Sequence, residues 1–169
     1  MNCTITEIFS DQLATYKKFL SVGLVEDADG FRLSANDDLH TPFPTKDKPD
    51  SFTLGAYCDG QLAGVVSFAR DGADREKLRH KGLLFRMYIA KEYRGKGVGR
   101  QLIEALLERV KSLPSLEQIN LTVVTNNDRA KALYEKFGFK TFSIEVNAIK
   151  WQGKYHTEET MVLILSNNP

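Results

Sequence analysis

The chain has 169 residues, 42% of them hydrophobic and 27% charged, with a net charge of +1. That length supports one domain, residues 1–169, with a proper core, and leaves too little for two ordinary ones. A near-neutral balance gives no global field for nucleic acid or an anionic membrane, and no run reaches the ~18 apolar residues of a membrane helix.

No basic segment followed by an apolar run marks the N-terminus, so a cytoplasmic location is expected. Cys3 and Cys58 show no CxxC spacing and no histidine partner, and are expected as free thiols. In chain order, Thr4 to Phe9 alternates loosely as a first strand. Asp11 to Leu20 reads as a helix with Ser10 as its N-cap and Leu13, Tyr16 and Leu20 on one face. The acid-rich stretch from Val22 to Leu39 is expected to hold a second helix. Pro42, Pro44 and Pro49 make His40 to Asp50 a loop.

Phe52 to Cys58 and Gln61 to Ala69 flank Asp59-Gly60, a type I′ hairpin signal. Arg70 to Lys81 is a polar connection. Leu83 to Ala90 is a near-continuous apolar run, as in a central strand buried on both faces. Val98, Leu102, Ile103, Leu106, Leu107 and Val110 recur at helical spacing before Pro114 ends the run. Gln118 to Thr125 is rich in β-branched residues and reads as a strand. Asn127 caps a short helix to Phe137 that Gly138 terminates, with Ala130, Leu133, Tyr134 and Phe137 on one face. Phe139 to Ile149 and Lys154 to Leu165 are strands joined around Gln152-Gly153. The order argues for an α/β domain with a mixed sheet.

Chemistry concentrates where the apolar run ending at Ala90 meets the helix beginning at Val98. Arg94-Gly95-Lys96-Gly97-Val98-Gly99-Arg100 is a glycine-punctuated basic turn. Glycines let several N–H groups point at one spot, and the helix start adds its positive dipole end, so the turn suits a phosphate. It lacks the Gly-Lys-Ser/Thr ending of a Walker loop and the glycine spacing of a dinucleotide fingerprint.

Arg94-x-x-Gly97-x-Gly99, followed by a strand and then by Asn127-x-x-Ala130-x-x-Leu133-Tyr134 and Gly138-Phe139, resembles the GNAT superfamily of N-acetyltransferases. The resemblance covers about residues 52 to 165 and is looser before them. It implies a mostly antiparallel mixed sheet with one splayed parallel strand pair, flanked by helices. It implies acetyl-CoA as cosubstrate, with no metal. The pyrophosphate would lie on Arg94, Gly95, Lys96, Gly97, Val98, Gly99 and Arg100. The pantetheine arm would pair with Met87, Tyr88 and Ile89, where the family has a β-bulge. Asn127 and Ala130 match positions near the cofactor. Tyr134 matches the usual general acid, which protonates the departing thiolate. A packed core tyrosine is the plainer alternative for Tyr134, and helix capping for Asn127. Lys136 either reaches the CoA phosphates or is a solvated helix charge.

The resemblance also implies direct attack by an amine in a ternary complex. Where other members carry a glutamate base, this chain has Leu83 and Thr122. The base is left open among His80, Glu26, Asp27 and a water chain. Ser67 and Arg86 are candidates to face the acceptor groove, and Trp151, Tyr155 and His156 to line its mouth. The acids Glu26, Asp27, Asp29, Asp37 and Asp38 either steer a cationic amine or form a solvated face. The acceptor is read as a small-molecule amine or a protein or peptide amino group, and homodimers through the last strands are familiar in proteins like this one. The competing function is a CoA-binding sensor without catalysis. Neither nucleic acid nor a membrane is expected as a partner.

Overall fold

The computed structural model describes residues 2–166. Seven strands form one sheet in the order β1-β2-β3-β4-β5-β7-β6. They are β1 (Cys3–Ile8), β2 (Ser51–Cys58), β3 (Gln61–Arg70), β4 (Lys81–Ile89), β5 (Gln118–Val124), β6 (Lys140–Trp151) and β7 (Lys154–Ile164). All neighbours are antiparallel except β4 and β5. The mixed, mostly antiparallel sheet expected from the sequence is present.

Helix α1 (Leu13–Glu26) and the short α2 (Ala35–Asp38) cover one face, while α3 (Val98–Val110) and α4 (Asp128–Lys136) cover the other. α3 buries Val98, Leu102, Ile103, Leu106 and Val110 against the sheet. Each such side chain contributes roughly 1.5–3 kcal/mol, which makes α3 a main anchor of the fold. α1 packs through Tyr16, Leu20 and Leu24. Its Gly23 lies against the Tyr88 ring, where a Cβ would come within 2.6 Å of the ring carbons. Glycine at that helical position lets α1 rest on the end of β4.

The β2–β3 hairpin has Asp59 at φ 50° and Gly60 at φ 83°, as a type I′ turn requires. Other expectations are corrected. Ser10 caps no helix, because its N–H and hydroxyl bond the Asp47 carboxylate. The chain instead enters α1 through a 3₁₀ turn, Ser10–Gln12, and α1 runs on to Glu26. The second helix is a single turn, α2, capped by Ser34. β4 is not buried on both faces, since Leu83 is 40% exposed. The free-thiol reading fails: β1 and β2 place Cys3 directly opposite Cys58, and the two form a disulfide.

Candidate active site

β4 and β5 pair only over Lys81–Leu83 and Gln118–Asn120. Beyond that the two parallel strands diverge. The cause lies on the other edge of β4, where Val65 pairs with Tyr88 and Ser67 with Phe85. Two residues, Arg86 and Met87, therefore oppose the single Val66, and Arg86 adopts φ 49°. This β-bulge bends the end of β4 away from β5. The main chain of Met87 to Ile89 is left with one side free of ladder bonds, although the side chain of Arg94 donates to the Ile89 carbonyl at 2.9 Å.

The gap opens into a cavity of about 760 Å³. Its wall holds Met87, Tyr88, Ile89, Arg94, Gly95, Gly97, Val98, Gly99, Arg100, Asn127, Ala130 and Tyr134. Of the cofactor residues expected from the sequence, Lys96 is not on this wall, and its ammonium lies 5.8 Å from the centre of the Tyr93 ring. Gly95 and Gly97 have φ 73° and 82°, backbone that a side chain disfavours. They turn the chain into α3, whose first-turn N–H groups have no intrahelical acceptors. A bare, amide-rich helix start at one end of a long cleft fits a pyrophosphate, and unpaired strand amides at the other end fit an amide-bearing arm.

Arg94 has a further role that its place in the turn did not signal. Its guanidinium donates to the Ile89 carbonyl and the carboxylate of Asp27. Asp27 follows α1, so Arg94 ties the turn to the opposite layer. Asn127 caps α4 by accepting the Ala130 N–H at 3.2 Å. The capping role is therefore real, and the side chain also borders the cavity.

The Tyr134 hydroxyl donates to Met87 Sδ at 3.5 Å. Burial raises its pKa, so the phenol stays protonated across the working range of a protein. Met87 thus holds a neutral O–H at the point where β4 and β5 part.

A second cavity of about 780 Å³ adjoins the first, and both touch Asp27, Gly30, Asn127 and Arg129. Glu26, Asp27, Asp29, Asn36, Val124, Trp151 and Gln152 are on its wall. Glu26 lies 3.6 Å from the Lys91 ammonium and within 3.5 Å of the Tyr88 hydroxyl. Among the base candidates, His80 is removed from this region. It precedes β4, about 26 Å of strand away from Ile89. His156 has Nε2 3.7 Å from Asp29.

Sequence reasoning missed the two carboxylates of β7. Glu158 is 4% exposed and binds Arg32 through Nε at 2.8 Å and Nη2 at 2.5 Å. Glu159 points to the other face, where bonds from Lys131 and Thr141 lower its pKa. Glu158 pairs with Val124, so it shares the second cavity's side of the sheet. Nothing local marked them, because Arg32 and Glu158 are 126 residues apart.

Comparison with known proteins bears on this geometry. A family model described as Acetyltransferase (GNAT) family matches residues 19–139. A spermine/spermidine N(1)-acetyltransferase of Bacillus subtilis (strain 168) is 33% identical over 88 residues, covering 52% of this chain and 58% of that relative. An N-alpha-acetyltransferase of Saccharolobus solfataricus is 37% identical over 67 residues, 40% of each chain. The chain thus spans little more than half of the first of these relatives. A solved acetyltransferase of GNAT family from Streptococcus pneumoniae matches with a TM-score of 0.80 and 27% identity, covering 97% of this chain and 100% of that one.

Proposed function

We propose, from the premise that this chain belongs to the GNAT acetyltransferase family, that it transfers the acetyl group of acetyl-CoA to a small primary amine. The carrying observation is the neutral, buried Tyr134 hydroxyl beside Met87 at the parting of β4 and β5.

In this reading Gly95 to Arg100 offer backbone N–H groups to the pyrophosphate, and the free edge of Met87 to Ile89 receives the pantetheine amides. The amine enters from the second cavity. Its nitrogen attacks the thioester carbon, and a backbone N–H of the bulged strand stabilises the oxyanion. The C–N bond forms, the C–S bond breaks, and Tyr134 gives its proton to the leaving thiolate. The proton shed by the amine leaves through water on the acidic wall.

Size and charge support a small cationic acceptor. The second cavity is within the usual range for small ligands, and Glu26, Asp27 and Asp29 line it. The names of the relatives span polyamines and protein amino ends, and the size of this cavity favours a small amine over a peptide end.

The test is thermal unfolding with acetyl-CoA, followed by thiol release with a panel of amines and peptides. Ligand at about 100 times its dissociation constant should stabilise by about 2.7 kcal/mol. Amine-dependent thiol release supports transfer. Stabilisation with no release from any acceptor favours a CoA-binding sensor, and no stabilisation at saturation overturns the cofactor site.

A further inference from the structure

We infer that Arg86 and Tyr16 form an anion subsite beside the point of transfer, so that the acceptor amine also carries a carboxylate or a similar anionic group. This rests on the acetyl-transfer reading above and narrows the acceptor to a zwitterion of the amino-acid kind.

Five arginines hold carboxylates: Arg32, Arg70, Arg94, Arg100 and Arg109. Arg86 is half-buried and has no ion pair among the described residues, and its Nη1 is sealed from solvent without an acceptor. Tyr16 is 1% exposed, and its hydroxyl is likewise without a partner. The two belong together: the phenol, raised by burial, feels the Arg86 charge in the opposite sense. Neighbouring polar groups are already engaged. Ser67 bonds Thr53 at 2.8 Å and Thr53 bonds Thr45 at 3.0 Å. Asp38 accepts from the Thr41 hydroxyl at 3.0 Å. What remains is a guanidinium that faces the Tyr16 phenol, with its Nη1 and the phenol hydroxyl both lacking a well-formed hydrogen bond. Buried donors of this kind are costly unless an acceptor fills the place, and a guanidinium fork matches a carboxylate.

Position gives the subsite its meaning. Extending the pairing of Leu83 with Asn120 by two residues sets Phe85 level with Thr122, just before the bulge at Arg86 and Met87. Leu83 and Thr122 are exposed, while their neighbours Leu84, Leu121 and Val123 pack in the core with α3. The α1 side of the parting strands is therefore open at Leu83 and Thr122, and Arg86, which faces Tyr16 of α1, lies on that side. Arg86 directly precedes Met87 in the bulge, so an anion on its guanidinium lies within the reach of one arginine side chain from the parting of the strands. The spacer between the anion and the attacking nitrogen is therefore short. The acid-lined approach at Glu26, Asp27 and Asp29 repels simple anions, whereas an ammonium group carries its own carboxylate past it.

The experiment compares α- and β-amino acids with their amides and their decarboxylated amines by thiol release at saturating acetyl-CoA. Wild type, Arg86→Gln, Arg86→Lys and Tyr16→Phe are measured side by side. The expected result is at least a tenfold preference in kcat/KM for the free acids, the effect of a buried charged hydrogen bond. Arg86→Gln should collapse that ratio toward one, mainly through KM, with no change in the KM for acetyl-CoA. Arg86→Lys should restore part of it, and Tyr16→Phe should lower it several-fold; that variant also serves if Arg86→Gln does not fold. Amides accepted as well as acids, or a ratio unmoved by Arg86→Gln, overturns the subsite. Transfer to amines without carboxylate preference sinks this inference alone. Thiol release from no amine at all sinks the acetyl-transfer reading, and the subsite with it.

Discussion

In the proposed reading, the two halves of the site recognise by different means. On the donor side, the turn from Arg94 to Arg100 and the edge of β4 present mainly backbone, shaped by left-handed glycines and a bulge. On the acceptor side, α1, α2 and the β6–β7 hairpin present side chains, held by contacts between distant residues such as Arg32 with Glu158 and Asp29 with His156. Backbone recognition tolerates little but glycine at a few positions. Side-chain recognition is open to change one residue at a time. A family can therefore keep its donor while varying its acceptor.

Substitutions break this contrast in graded ways. Tyr134→Phe removes the hydroxyl proposed as the proton donor to the leaving thiolate. It should lower kcat by about 10²-fold or more, the usual effect of losing a general acid, with acetyl-CoA affinity retained; single-turnover rates and ligand-induced stabilisation check the two parts. The same residue carries a pH signature. Its folded pKa lies above the ordinary 10.0. Its contribution to stability is thus full below pH 10 and is lost as pH rises through the higher folded value. Alkaline unfolding curves of Tyr134→Phe should lack that loss.

Gly97→Val tests the backbone directly. Open space surrounds a Cβ there, with only Gln101 Nε2 at 4.0 Å, so the cost is conformational. Forcing a branched residue to φ 82° costs about 1–2 kcal/mol, and acetyl-CoA affinity should fall about tenfold. Equilibrium titration measures it, and an unchanged dissociation constant would show that the turn does not hold the cofactor.

The Arg94–Asp27 pair joins the halves, so it sharpens the comparison. Arg94→Gln and Asp27→Asn should each raise both KM values a few-fold, and the double variant should cost less than the product of the two. A multiplicative result would mean that the halves act independently. The smallest effect is expected from Asp29→Asn. Its carboxylate is 64% exposed, so the KM for a cationic amine should rise only about twofold, and its dependence on salt should flatten.

Legibility in the sequence followed the same division. The Asp59-Gly60 hairpin, the α3 stripe and the Asn127 cap are local patterns, and each stands where the residues placed it. The cavity wall likewise carries all but one of the cofactor residues read from the motif. Contacts that only the fold creates were not readable. Arg94 bonds Asp27, which lies 67 residues away. Glu158 and Glu159 sat in an ordinary polar strand and became buried through Arg32 and Lys131. Nothing near Gly23 in the sequence announced the Tyr88 ring that packs against it. Ser10 was drawn away from a capping role by Asp47, itself a left-handed residue in the proline loop.

The bridge from Cys3 to Cys58 acquires a further meaning from what it encircles. Its span of 55 residues encloses α1, the acid-rich corner and α2, which supply most of the acceptor side, while β4 and α3 fall outside it. Closing a ring of that size removes about 4 kcal/mol of chain entropy from the unfolded state in the loop-closure picture. Oxidation thus restrains the proposed acceptor half of the molecule like a drawstring. A thiol reductant should loosen that half first and leave the phosphate turn in place.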